Sequence, residues 1–512
     1  MSRTHRFVGG VVLGHVHLVL VTVVGLWMTP FLLRLLGEQA FGFWLIAQQL
    51  LGYLLLMDVG VNALLPRETA FATGRAGSVA QAVDLPLVVA RARQAALWQT
   101  PLVVVVALAT WIWMPEGWRP AAGPLAVMLG CFVLLFPVRL YQTFLQGVQE
   151  LPFLSRVQIA SWVITTVITV ALVLKGAGLY ALVIAWGCGQ FFTAAAARIR
   201  IARRYAESWP PWHLRPSASD VRAYMRQAGW ISVAQVAQVF LTGSDLLLLG
   251  AVVGAGAVVQ YSCTGKLATV LSNHPQLIMQ AATPALSEMR AANRREHLLT
   301  TSVALMLAML CISGLVACVI LGLNGSFVRW WVGNEQYAGH GLTILFAVHL
   351  VVRHLNVTFI YGLFCFGQEK RISITNLLDG MVTLAAGIVL IRMLGPAGAV
   401  IGSLLAVAVV SLPSNLMALA RETGTTPWKL GSQVWPWLWR FGIVGTASAA
   451  LPFAWEPASA SGMIGVGASV SAIYVLTMVQ GLANGPLGEY ARPRILGLLP
   501  VGWRFRLSSQ RP

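Results

Sequence analysis

Three basic residues lie where the chain is otherwise apolar enough to sit in hydrocarbon: Arg139, Lys266 and Arg353. A charge inside a bilayer is costly, so it faces a bundle interior or a water-filled cavity. Lys266 and Arg353 fall near mid-span and Arg139 nearer a span end, while the acids Asp58, Asp245 and Asp379 fall toward span ends. A mid-membrane cation without an adjacent acid attracts an anion. Phosphate suits it, because Arg offers two parallel hydrogen bonds and Lys a point charge. The competing expectation is that Lys266 or Arg353 pairs with Asp245 or Asp379 and only ties helices together.

Uncharged polar residues add faces to these charges. Ser262, Lys266, Thr269, Asn273, Gln276 and Gln280 recur at alternating steps of four and three, which is one helix face. Ser232, Gln235, Gln238, Thr242 and Asp245, at steps of three and four, also share one face, and His349, Arg353 and Asn356 share a face further on. The first two stripes predict the wall of a hydrated cavity. A Ser/Thr stripe at Gln158, Ser161, Thr165 and Thr169 fits interhelical hydrogen bonding instead. His349 and His354 flank Arg353 and read as packed or hydrogen-bonded rings rather than a proton relay.

Enzyme chemistry finds little footing. Paired carboxylates for glycoside cleavage, a Ser/His/Asp set and an H-E-x-x-H helix are absent as recognisable motifs, and no Gly-rich loop with a following lysine marks a nucleotide site. The six cysteines form no C-x-x-C and no metal spacing, so neither a metal nor a cofactor is expected. Asn324-Gly325-Ser326 matches a glycosylation sequon, a pattern frequent by chance.

The elements that must carry these residues follow from composition. Of 512 residues only 10% are charged, against about 25% in soluble domains, the hydrophobic share is 57%, and mean hydropathy is +0.73. Soluble enzyme, nucleic-acid-binding protein and disordered chain are thereby poor readings. Fourteen stretches approach the ~20 residues a helix needs to cross a bilayer. They are Val11–Leu36, Phe41–Asn62, Ala95–Met114, Ala122–Gln146, Val157–Leu174, Leu179–Ala197, Gln227–Leu249, Ala257–Thr283, Leu299–Leu323, Gly341–Phe366, Ile372–Met393, Gly395–Leu419, Pro436–Pro452 and Ser459–Ala483. The run from Val11 is too long for a cleaved signal peptide and reads as an uncleaved helix.

With the N-terminus in the cytoplasm, threading fourteen spans puts twenty-seven of the 35 Lys and Arg residues on the cytoplasmic side. Five, namely Arg34, Arg119, Lys175, Arg329 and Arg392, fall on the other side, and the three first named lie inside spans. That asymmetry is the positive-inside signal and supports the span count. The net charge of +18 is then mostly topological, with anionic headgroups rather than nucleic acid as its partner. Both termini are expected in the cytoplasm.

The segments between spans predict the organisation. Residues 1–200 would form a first six-helix bundle, 201–226 a basic cytoplasmic linker with an interfacial helix, 227–420 a second six-helix bundle, 421–484 a terminal helix pair, and 485–512 a basic tail. A helix start is expected at Ser217-Ala218-Ser219-Asp220, and the longest external loop at about Asn324–His340.

The chain resembles the polysaccharide-exporter branch, O-antigen flippases included, of the multidrug/oligosaccharidyl-lipid/polysaccharide (MOP) exporter superfamily. The residues that carry the resemblance are Thr29-Pro30-Phe31-Leu32-Leu33-Arg34-Leu35-Leu36-Gly37 with Phe41-Gly42, then Asp58-Val59-Gly60 before Arg67. Gln146-Gly147 follows, with Glu150 where a basic residue is usual, and then Asp245, Leu249-Gly250, Tyr261 and Lys266. The resemblance implies an all-α polytopic membrane protein of about fourteen helices, two six-helix pseudo-repeats around a central cavity plus a terminal pair, working by alternating access in a bacterial inner membrane. It implies a polyprenyl-diphosphate-linked oligosaccharide as cargo. Lys266, Arg353 and Arg139 would attract the diphosphate. Gln235, Gln238, Thr242, Ser262, Thr269, Asn273, Gln276, His349 and Asn356 would line the cavity. Asp58, Arg67 and Asp245 would serve gating or ion coupling. Membrane lipids and polysaccharide-polymerase machinery are expected contacts. A multidrug or cation-coupled exporter, a peptidoglycan-precursor flippase and a membrane glycosyltransferase or polymerase are the alternatives.

Overall fold

The protein is described by a computed structural model that covers residues 3–58, 60–76, 79, 81–272 and 295–482. Among the described residues every regular element is a helix, as the bilayer requires of a chain that must satisfy its backbone within each segment. Two compact units divide the chain, Met1–Val259 and Gln260–Pro512.

The first unit contains α1 (Arg3–Leu36), α2 (Glu38–Leu54), α3 (Val61–Ala76), α4 (Leu85–Ile112), α5 (Ala122–Leu135), α6 (Leu140–Gly147), α7 (Leu151–Leu174), α8 (Leu179–Arg204) and α9 (Ala218–Val252). Helix α7 packs on α1 and α8, α5 on α8, α3 on α4 and α6, and α9 on α2, α3 and α4. Helix α10 (Ala255–Thr264) crosses the division.

The second unit continues with α11 (Lys266–Leu271), α12 (Arg295–Val332), α13 (His340–Cys365), α14 (Glu369–Leu394) and α15 (Pro396–Ala406). A π-helical turn at Val407–Ser411 leads to α16 (Leu412–Glu422), followed by α17 (Pro427–Ser432), α18 (Trp435–Ala454) and α19 (Ala460–Leu482). Helix α12 is the centre of this unit, contacting α13, α18 and α19.

Ten helical stretches of the described residues are long and apolar enough to cross a membrane. The other expected spans also fall on helices: α1, with its apolar part Leu20–Leu36, α9, α18, and α10 with α11. The end of the expected Ala257–Thr283 span lies outside the described residues.

Because lipid is as apolar as a leucine side chain, association inside a bilayer leans on close packing by small residues and on interhelical hydrogen bonds. The Ser/Thr stripe on α7 does this work. Ser161 donates to the Gly189 carbonyl of α8 at 2.8 Å, and a Cβ on Gly189 would lie 2.2 Å from Thr165 Oγ1. The tight turn between α14 and α15 is set by Gly395 at φ 59, and a Cβ on Gly398 would lie 2.1 Å from the Leu390 carbonyl oxygen. Such a hairpin admits only glycine there.

Two expectations about segments change. The helix starts after Ser217, whose hydroxyl accepts from the Asp220 N–H at 3.1 Å, but it is no separate interfacial piece. It runs on for 35 residues as α9, since no proline or glycine pair interrupts it. The expected loop Asn324–His340 shrinks to Gly333–Gly339, because α12 continues to Val332. Asn324 is fully buried, donating to the Thr264 carbonyl at 2.9 Å and to Thr343 Oγ1 at 3.0 Å, so the sequon is inaccessible to a glycosylating enzyme.

Candidate functional site

Arg353 leaves α13 one turn after His349 and meets a carboxylate from α14. Its Nη1 donates to Asp379 Oδ2 at 3.1 Å and its Nη2 to Oδ1 at 3.4 Å. Asp379 is wholly buried, and the Arg353 side chain is 17% exposed. The fork geometry is the arrangement that holds a guanidinium and a carboxylate most firmly. The competing expectation for Arg353 is therefore the one realised. Its charge is answered by an acid 26 residues on, which the sequence separates and the α13–α14 packing brings together.

The pair anchors a longer chain of hydrogen bonds. Arg353 Nη2 also donates to Ser403 Oγ of α15 at 2.8 Å, and its Nε to His349 Nε2 at 3.4 Å. His349 Nε2 lies 3.0 Å from Ser403 Oγ, so the serine hydroxyl is the donor and the ring proton is assigned to Nδ1. On the other side Ser411 donates to Asp379, Asn356 to Ser411 Oγ at 3.1 Å, and Asn415 to Asn356 Oδ1 at 2.9 Å. Ser411 closes the π-helical turn. Pro413 follows in the first turn of α16 and has no N–H to give. The widened ladder aims Ser411 at the carboxylate, and π-turns recur at functional positions. The face His349, Arg353, Asn356 thus forms one network. Ser403, Ser411, Thr383 and Asn415 join it without having been singled out from the sequence, because each is one Ser, Thr or Asn among many.

Lys266 stands differently. It opens α11 directly after Gly265, where the helical run from Ala255 is interrupted. The break coincides with close packing: a Cβ on Gly265 would lie 2.9 Å from the Phe346 ring. Lys266 is half-buried and makes no ion pair among the described residues. Of its stripe, Ser262 is half-buried, and Thr269 returns its hydroxyl to the Gly265 carbonyl at 3.0 Å. Asn273, Gln276 and Gln280 lie outside the described residues, as do the side chains of Gln235, Gln238 and Thr242.

In the first unit, Asp58 accepts from the Asn62 N–H at 3.1 Å and so terminates α3 at its N-terminal end. Asp58 is buried at 4% exposure, in the field of Arg139. Thr143 donates to Asn62 Oδ1 at 2.9 Å, and the buried Nη1 of Arg139 has no hydrogen bond partner among the described residues. Arg67 is further along α3, 3.7 Å from Glu68 and over the Phe71 ring, and is not joined to Asp58. Asp245 on α9 lies in the neighbourhood of Tyr53.

Glu150, the acid in an unusual place, is held by α8. Arg200 and Arg204 donate to it at 2.8 and 3.1 Å and Tyr205 at 2.7 Å. Burial alone would raise its carboxyl, but the hydrogen bonds from Tyr205 and Arg200 and the two positive charges outweigh that and hold it below its ordinary value. Burial and Glu150 together push the Tyr205 hydroxyl up to about 12, so it remains a donor. The same end of the unit binds the linker. Arg93 donates to the carbonyls of Pro210, Pro211 and Leu214 at 3.0–3.1 Å and lies 5.0 Å from the Trp212 ring.

With this geometry established, comparison with known proteins is informative. A model of the polysaccharide biosynthesis protein family matches residues 12–290, more than half of the chain. The chain belongs to the polysaccharide biosynthesis protein family. A family-like relative is the uncharacterized membrane protein EpsK of Bacillus subtilis (strain 168), 24% identical over 379 residues, which are 72% of this chain and 73% of that one. Among solved structures, the lipid II flippase MurJ in an inward closed conformation matches with a TM-score of 0.65 at 11% identity, covering 92% of this chain and 100% of that one. An inward-facing multidrug resistance MATE family transporter of the MOP superfamily matches at 0.58 and 12% identity, covering 78% and 94%. At these identities the likeness establishes the fold alone, one shared with that flippase and that transporter. This family member is thus a multi-pass membrane protein, and the motifs from Thr29 to Lys266 lie within the matched range.

Proposed function

We propose that the protein moves a polyprenyl-diphosphate-linked oligosaccharide from the cytoplasmic to the periplasmic leaflet of a bacterial inner membrane, by alternating access, for cell-surface polysaccharide synthesis. The observation that carries this reading is Lys266: a half-buried cation at a break in an apolar helix, with no acid paired to it among the described residues. A diphosphate is the ligand chemistry such a group serves, as a strongly hydrated point charge. Arg139, with a buried donor left over, is a second phosphate-binding group. Arg353 acts through its pair with Asp379, fixing the polar framework of the second unit. Membership of the family and a fold shared with a lipid II flippase support transport of a lipid-linked sugar over enzymatic chemistry. The same reading gives gating to Asp58 and Arg67, ion coupling to Asp245, and both termini to the cytoplasm.

The fold shared with the lipid II flippase also favours a second reading, in which the cargo is the peptidoglycan precursor. Measuring which leaflet holds the lipid-linked intermediate distinguishes the cases. Without the protein, unmodified oligosaccharide-lipid is expected to accumulate on the cytoplasmic leaflet, and Lys266→Gln should do the same at normal protein abundance. Unimpaired translocation by that variant would sink the diphosphate assignment. Accumulation of lipid II in place of the oligosaccharide would select the second reading.

A further inference from the structure

Asn324, the first residue of the buried sequon, belongs to none of the clusters around Arg353, Asp58 and Glu150. It stands on α12, wholly buried, and its amide nitrogen donates to two other helices. One bond goes to the Thr264 carbonyl of α10 at 2.9 Å, the other to Thr343 Oγ1 of α13 at 3.0 Å. Its Oδ1 is buried and has no hydrogen bond partner among the described residues. The Thr264 carbonyl can only accept, so the nitrogen must face it, and the orphaned oxygen is the consequence. An amide kept in place at the cost of an unsatisfied acceptor is there for its donors.

What those donors hold is the helix break beside Lys266. Helix α10 ends at Thr264, and α11 begins at Lys266. On either side the ladder persists: the Gly265 N–H reaches the Tyr261 carbonyl, and the Thr269 N–H the Gly265 carbonyl, both at 2.9 Å. The carbonyl between them is the one that Asn324 takes. A side chain inserted into the ladder is a recognised cause of a helix break. Two more contacts fix the same point. Thr264 Oγ1 accepts from the Ala338 N–H of the Gly333–Gly339 loop at 2.9 Å, and a Cβ on Gly265 would lie 2.9 Å from the Phe346 ring of α13. Thr343, on which the amide also rests, lies 3.1 Å from the Tyr337 hydroxyl of that loop.

We propose that Asn324 is the positioning residue for Lys266. By holding the Thr264 carbonyl it fixes the break at Gly265, and with it the place from which the lysine leaves the helix. The proposal rests on the reading of Lys266 as the group that meets the cargo diphosphate. An amide is the side chain the position demands. Leucine, of similar size, donates nothing, and aspartate would set an oxygen against the carbonyl.

The test uses the full chain in nanodiscs, with polyprenyl diphosphate as the binding probe. Asn324→Leu is expected to speed amide hydrogen exchange in residues 262–270 about tenfold, the factor one lost buried hydrogen bond is worth, with α14 unchanged. The dissociation constant for the probe should rise by a similar factor at unchanged stoichiometry. In a Lys266→Gln background Asn324→Leu should leave binding where it was. A merely structural role would instead speed exchange throughout the unit and lower the stoichiometry without moving the dissociation constant. Thr343→Val removes only the hydroxyl on which the amide rests. It should shift both readouts the same way by about threefold, and it carries the test if Asn324→Leu does not fold. Exchange in residues 262–270 as slow as in the unaltered chain overturns the proposal. Faster exchange with unaltered binding overturns it too, and Lys266→Gln then tells which reading has failed. Weakened binding by Lys266→Gln leaves the diphosphate reading standing and removes Asn324 alone. Unaltered binding by Lys266→Gln removes the diphosphate reading itself.

Discussion

At the scale of single residues, two cations read alike in the sequence carry different consequences. Arg353 is fixed to a fully buried Asp379, so removing either partner leaves an uncompensated charge, at about 3–5 kcal/mol. Arg353→Met or Asp379→Leu alone should lower the melting temperature sharply in detergent, and the double variant should recover most of it. Absence of recovery would mean that the pair is not the unit of stability. Lys266 has no such partner among the described residues, and Lys266→Gln should leave melting within a degree or two while abolishing translocation. The shared face of His349, Arg353 and Asn356 was legible from spacing alone. Asp379 as their partner was one of two candidates, beside Asp245, because side-chain pairing between helices follows from packing and not from periodicity.

Elements are held by close approaches and buried ion pairs at their ends. A Cβ on Gly60 would lie 2.1 Å from the Ala228 carbonyl oxygen, and one on Gly42 2.2 Å from that of Ala255. Gly42→Ala should therefore overpack the contact of α2 with the residues that follow α9, at about 1–3 kcal/mol. A melting curve of the purified chain checks this, and an unchanged curve would place the contact elsewhere. At the opposite end, the depressed Glu150 carboxyl contributes stability that is complete above its ordinary value of 4.5 and is lost as pH falls through its lower folded value. Glu150→Gln should lower stability at neutral pH and flatten the acid limb of the melting-temperature profile. An acid limb identical to that of the unaltered chain would refute the linkage. The linker's attachment to Arg93 could not be read in advance, since its three acceptors are backbone carbonyls. Any residue type supplies those.

For the whole molecule, the charge asymmetry makes an orientation prediction. A cysteine at Trp212, an exposed position among the basic loops of the first unit, should react with an impermeant maleimide only after the membrane is opened. A cysteine at Lys175 should react in intact spheroplasts. The reverse pattern would invert the topology and, with it, the direction of transport. Family membership and the fold shared with a lipid II flippase accord with an all-α chain of many spans.

The sequence by itself determined where the apolar helices lie, and its positive-inside bias predicts an orientation for them. Hydropathy and the cost of moving charge across a bilayer act on each residue where it stands, whatever its distant neighbours. The same locality located Ser217 as a helix start and the α7 stripe as packing. Only the tertiary structure decided that Arg353 pairs with Asp379, that Ser411 of the π-helical turn supports that carboxylate, that Asn324 is buried, and that Glu150 is held by the arginines of α8. Those outcomes depend on which helices are neighbours. Inside a bilayer that choice rests on small-residue fits and hydrogen bonds between segments far apart in the chain, which no local pattern encodes.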